Sequence, residues 1–277
     1  MYNTLISETQ LFENLENPDW IVIDCRYDLA NVTAGHHSYL ESHIPGSIYA
    51  DLHKHLAGET TSDSGRHPLP DEARLIEVFS SFGIDADKQV VAYDGASRAF
   101  AARLWWLLRY MGHTRVAVLD GGWQAWLAQN RPSQAGDTET SPAKFSGRAR
   151  SDRVIMLDQV AQSELLVDSR EAARYRGEVE PVDPVAGHIP GARNYCFQNN
   201  LTADSRFLTA HELKKQFKQL FSGTEPEKVV FYCGSGVTAC HNLLAMAHAG
   251  LPEAILYAGS WSEWCRSGER PVATGPD

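Results

Sequence analysis

Short runs of apolar, mostly β-branched residues recur along the chain with polar or turn-forming residues between them. They lie at 20–23, 89–93 and 115–119, and again at 165–167, 228–232 and 254–257. Apolar runs of this length, without polar alternation, predict strands buried on both faces. Between them apolar residues return at helical spacing over 71–82, 98–111 and 123–129, then over 209–220, 238–249 and 261–266. Thr209 followed by Glu212 forms a capping box, and Gly250 ahead of Pro252 is a helix stop. Strands alternating with helices predict an α/β fold, a parallel sheet covered by helices on both faces, whose ligands sit beyond the carboxyl ends of the strands. The residues just after 93 and 232 therefore carry the most interest.

The same words appear twice in the same order. IVIDCR (21–26) returns as LLVDSR (165–170), HIPGS (43–47) as HIPGA (188–192), VVAYDG (90–95) as VVFYCG (229–234), and LDGGWQAW (119–126) as YAGSWSEW (257–264). A near-constant offset far beyond any solenoid period points to two copies of one domain. Residues 134–152 are rich in Pro, Gly, Ser, Thr and charge, as exposed linkers are. The expected division is 1–133, a linker over 134–152, and 153–277.

Charge and composition narrow the function. The 277 residues carry 25 Lys and Arg against 35 Asp and Glu, a formal net charge of −10. The long-range field of such a chain has the wrong sign for nucleic acid or an anionic membrane. No stretch approaches the ~20 apolar residues of a membrane span, and the N-terminus lacks the basic and apolar regions of a signal peptide, so a cytoplasmic protein is expected. The five cysteines are odd in number, irregularly spaced and without a CxxC pair, which argues against a disulfide framework or structural zinc site. Neither a metal nor a cofactor is implied.

One cysteine has a distinctive setting. In VVFYCGSGVTAC a buried strand ends at Cys233, Gly234 and Gly236 permit a tight turn, and a helix begins near Thr238. A sulfur held above a helix N-terminus, with loop amides pointing inwards, is stabilised as a thiolate. An inert core cysteine is the competing reading. The first copy carries Asp94 at the matching place, which points to a solvent-facing pocket in both copies. GSGVTA also fits a dinucleotide fingerprint, but too little chain follows to complete that domain. A cysteine phosphatase would need an arginine six residues after the cysteine, where Ala239 stands.

With HIPGS, HIPGA, the loop Cys233–Thr238 and AILYAGSWSEW (254–264), the chain resembles over essentially its whole length the tandem rhodanese-domain sulfurtransferases, which act on thiosulfate or 3-mercaptopyruvate. The resemblance implies two rhodanese-like domains of which only the second is catalytic. It implies a Cys233 persulfide cradled by the amides of Gly234, Ser235, Gly236, Val237 and Thr238. A small anionic donor would load the sulfur, and a thiol (small, or on a thioredoxin-like protein) or cyanide would remove it. A carrier or redox module without turnover is the non-enzymatic alternative. The loop CGSGVT resembles the 3-mercaptopyruvate enzymes, with thiosulfate the alternative donor. Ser235 would then assist proton transfer and His67 would orient it, although a surface loop histidine is an equal reading of His67. The acidic partner of that histidine is unmatched, with His53 and Asp51 in its region. Arg174 matches a substrate arginine. The second falls at Val182, leaving Arg176 or Arg98 as replacements. His43 and His188 would fix turns, the tryptophan pairs would be core or domain interface, and Cys240 would be helix packing.

Overall fold

The structure, a computed structural model, describes residues 1–95 and 99–276. By contact it divides into two units. The first comprises 1–58, 70–150 and 203–206, and the second 59–69, 151–202 and 207–277.

In the first unit the strands are β1 (Leu5–Ile6), β2 (Trp20–Asp24), β3 (Ile48–Tyr49), β4 (Gln89–Tyr93) and β5 (Val116–Leu119). The second unit has β6 (Val154–Ile155), β7 (Leu165–Asp168), β8 (Arg193–Asn194), β9 (Val229–Tyr232) and β10 (Ile255–Tyr257). Both sheets are parallel throughout and share one order, β1-β5-β4-β2-β3 and β6-β10-β9-β7-β8. The helices are α1 (Glu8–Phe12), α2 (Ala34–Glu41), α3 (Leu52–His55), α4 (Glu72–Ser81), α5 (Ala99–Tyr110) and α6 (Gly122–Ala128). In the second unit they are α7 (Ala172–Tyr175), α8 (Ala210–Phe221), α9 (Thr238–His248) and α10 (Ser260–Trp264).

Every residue of β4 and of β9 is buried, as expected of central strands covered on both faces. One face of the first sheet packs Val91, Tyr93 and Ala117 against Leu11 of α1 and Trp123 and Trp126 of α6, while α5 lies on β4 and β5. In the second, Leu166, Val230, Tyr232 and Tyr257 pack with Trp261 and Trp264 of α10, and α9 lies on β9. The tryptophans are thus core.

Polar details are duplicated too. Asp24 clasps Arg26 as Asp168 clasps Arg170, each with a closest contact of 2.6 Å. The guanidiniums stack 4.8 and 4.9 Å from the ring centroids of Trp123 and Trp261. His43 and His188 bond through Nδ1 to the carbonyls of Tyr39 and Tyr175, both at 2.8 Å, and so hold the turns they begin.

Two short segments belong to the unit built mainly by the other half of the sequence. Residues 59–69 lie on the second unit: the Arg66 amide donates to Ser262 Oγ at 3.0 Å, and Arg266 donates to the carbonyls of Thr61 and Ser62 at 3.0 Å. A methyl group on Gly65 would come 2.4 Å from the Gly259 carbonyl oxygen, so only glycine allows that approach. Residues 203–206 join the first unit, where Arg206 meets Glu8 at 2.9 Å. Residues 134–150 also group with the first unit, with Phe145 buried against Phe79.

Candidate active site

The chain leaves the carboxyl end of β9 directly into Cys233, which is buried. Its amide donates to Ser260 Oγ at 3.1 Å and its carbonyl accepts from the Trp261 amide at 2.9 Å. These bonds fix the sulfur's base. The Gly236 amide donates to Cys233 Sγ at 3.1 Å. The amides of Gly234, Ser235, Val237 and Thr238 have no protein acceptor among the described residues. The turn needs Gly236 at φ +76°, where a methyl group would lie 2.5 Å from the Ala258 carbonyl oxygen. The loop is thus a nest of unengaged donors around one sulfur, closed by the N-terminus of α9, and can stabilise negative charge.

Segment 59–69 brings two side chains to this loop. His67 Nδ1 lies 2.7 Å from Ser235 Oγ, and both residues are buried. The surface-loop alternative for His67 is therefore wrong. The residue before it, Arg66, ion-pairs with Asp183. The other Asp183 oxygen meets Arg174 Nη2 at 3.3 Å, and Glu180 binds Arg174 at 2.6 Å and Arg170 at 3.3 Å. A chain of alternating charge thus runs from Asp168 at the end of β7 to Arg66 beside the Cys233 loop. Burial holds the Arg66 guanidinium below its ordinary range; the neighbouring Cys233 opposes this and the Arg174 guanidinium adds to it.

Other expectations are corrected. Arg176 does not face the loop: it is a solvent-side residue paired with Glu178 at 2.7 Å. Val182 is exposed, and its amide caps Glu180 at 3.0 Å. Arg98 falls outside the described residues. In the first unit, Asp51 caps α3 through the amides of His53 and Lys54, and His53 bonds the Tyr27 hydroxyl at 3.0 Å. Asp94 does not line a solvent-facing pocket. It is fully buried, and its carboxylate accepts from the amides of Phe100 and Ala101 at 2.9 and 3.0 Å, at the start of α5.

The remaining cysteines have different settings. Burial pushes the thiols of Cys25, Cys196 and Cys265 up, which keeps them protonated. Cys240 is buried with Sγ 3.2 Å from the Gly236 carbonyl. Sequence reasoning missed Arg66 and Asp183. Arg66 adjoins His67, a signal that was available, but nothing local connects it to Asp183.

The rhodanese-like domain pattern matches residues 7–129 and 154–267, which is most of the chain. The chain belongs to the rhodanese-like domain family. It is 46% identical over 278 residues to a Pseudomonas aeruginosa protein named "Probable 3-mercaptopyruvate sulfurtransferase", covering 98% of each chain. It is 34% identical to the thiosulfate sulfurtransferase of Cricetulus griseus, over 95% of this chain and 92% of that one. Among solved structures, the 3-mercaptopyruvate sulfurtransferase from Leishmania major superposes with a TM-score of 0.87 at 28% identity, over 98% of this chain and 76% of that one. Two parallel five-stranded sheets, each with its rhodanese match, account for that superposition. No helix among the described residues is long and apolar enough to cross a membrane.

Proposed function

We propose that this rhodanese-family protein is a sulfurtransferase that moves a sulfane sulfur from 3-mercaptopyruvate to a thiol acceptor or cyanide through a Cys233 persulfide. The Cys233 thiolate attacks the donor sulfur. The donor's C–S bond breaks, its electron pair leaves with the carbon as the enolate of pyruvate, and the proton brought by the donor thiol ends on that carbon. Sulfur is oxidised to the sulfane level and carbon is reduced, so no external oxidant or reductant is required. The amides of Gly234 to Thr238 hold the persulfide charge. An acceptor thiolate, small or on a thioredoxin-like protein, then attacks the outer sulfur and returns Cys233 as thiolate; cyanide gives thiocyanate.

The observation that carries the donor assignment is the 2.7 Å contact of His67 Nδ1 with Ser235 Oγ, two residues from the nucleophile. A mercaptopyruvate donor needs a proton delivered to its enolate, and a histidine-bonded hydroxyl suits that task. Thiosulfate needs none, because sulfite leaves as a stable anion. The guanidiniums of Arg66 and Arg174 near Gly234 support thiosulfate as the second reading. We assign catalysis to the copy at 153–277 and none to that at 1–133, and place the protein in the reducing cytoplasm. The test is kcat/KM for both donors in one preparation. A preference for 3-mercaptopyruvate is expected, and a tenfold preference for thiosulfate would overturn the donor. Intact mass after donor treatment should show one added sulfur, absent in Cys233→Ala.

A further inference from the structure

We propose that Arg66 is a donor-binding residue, which with Arg174 forms a two-point seat for the donor carboxylate beside Gly234. The proposal rests on the reading of 3-mercaptopyruvate as donor.

A methyl group placed on Gly234 would lie 3.0 Å from Arg66 Nη2 and 3.6 Å from both Nη1 and Nη2 of Arg174. Two guanidiniums thus converge on one spot, at the residue after the nucleophile. Each is held from behind by carboxylates. Arg66 uses Nη1 on Asp183, and Arg174 uses Nε and Nη2 on Glu180 and Nη2 on Asp183. This leaves Arg66 Nη2 and Arg174 Nη1 without a protein acceptor among the described residues, one on each guanidinium near Gly234.

Asp183 spans both arginines, one oxygen to each, and its side chain is 3% exposed. It therefore fixes their separation and is a positioning residue. The free N–H groups that remain match the two oxygens of a carboxylate, a geometry in which guanidinium outperforms ammonium. The absent side chain of Gly234 keeps the seat open. The arginines are only partly exposed, at 26% and 18%, so an anion placed there is largely withdrawn from water, which strengthens the contacts. Consecutive residues of segment 59–69 would then bind the donor and serve its proton transfer.

The test compares 3-mercaptopyruvate with mercaptoacetone, which keeps the thiol and ketone and lacks the carboxylate. In Arg66→Met the KM for 3-mercaptopyruvate should rise about 10- to 100-fold with kcat held within about threefold, the signature of lost uniform binding. The constants for mercaptoacetone should stay within about threefold of wild type, because it presents nothing for Arg66 to hold. Arg66→Lys should recover part of the loss. Should the Met variant not fold, the Lys variant carries the test, with a several-fold KM rise confined to 3-mercaptopyruvate. Equal losses with both donors would reduce Arg66 to a structural ion pair, and no loss with either would remove it from the site; both outcomes overturn the proposal. Wild-type protein that takes no sulfur from 3-mercaptopyruvate would instead overturn the donor reading itself.

Discussion

After β4 the chain places Asp94, and after β9 it places Cys233, at the same point of the same fold. The carbonyl of each accepts from a tryptophan amide, Trp123 or Trp261, at 2.9 Å. What differs is the fate of the helix N-terminus above. In the first copy the Asp94 carboxylate accepts from the amides of Phe100 and Ala101 and so satisfies two donors of the first turn of α5. In the second the Cys233 side chain leaves the loop amides from Gly234 to Thr238 unengaged apart from that of Gly236. The two copies thus use the same strand end differently: one side chain there is tied to helix amides, and the other stands in a loop whose amides stay open. Additions around the second loop complete the difference: segment 59–69 with Arg66 and His67, and the carboxylates Glu180 and Asp183.

Breaking the second loop should have the largest effect. Cys233→Ala should lower turnover by about 10⁴-fold or more with either donor, with no added sulfur by intact mass. Persulfide-dependent turnover that survives the substitution would relocate the chemistry. Next is Ser235→Ala, expected to lower kcat about 100-fold with 3-mercaptopyruvate and within about threefold with thiosulfate. Equal losses with both donors would remove the proton-transfer role of Ser235.

A buried histidine of the first copy offers an acid probe. His55 accepts the Asp51 amide on Nδ1 at 2.9 Å, and burial lowers its pKa from 6.5 to about 4. Above pH 6.5 it is neutral folded or unfolded, and its stability contribution is complete. Between 6.5 and about 4 only the unfolded chain takes the proton, so stability falls with pH by up to about 3 kcal/mol. Denaturant midpoints measured across this range should fall, and His55→Gln should flatten the profile; an unchanged slope in that variant would exclude His55 as the cause. The smallest effect is expected for Asp94→Asn, which weakens the cap on α5. It should cost about 1 kcal/mol of stability and leave kcat/KM unaltered. A fall in kcat/KM comparable to that of Ser235→Ala would give the first loop a part in the chemistry.

Much of this was legible in the chain. The six longer strands and six of the helices follow from apolar runs and helical periodicity, and the repeat fixes their correspondence. The edge strands β1, β3, β6 and β8 were not legible, because two residues carry no periodicity and their pairing comes from the neighbouring strand. Asp94 was misjudged for a physical reason. A carboxylate reads as exposed from sequence, yet helix amides seven or fewer residues away neutralise it in the core. Arg66 escaped notice because its partner Asp183 lies 117 residues further along the chain.

The sequence by itself determined the duplication, the strand–Cys–loop–helix unit at Cys233, and the chemical asymmetry between Cys233 and Asp94. Those are local patterns, set by side-chain type and spacing along one stretch of backbone. The tertiary structure alone decided which distant groups surround the sulfur. It joined Arg66 to Asp183 and Arg174, and turned Arg176 to solvent. Such contacts depend on how segment 59–69 packs against the turn after β10, where the lack of a side chain on Gly65 permits backbone to meet backbone. No local periodicity encodes that meeting.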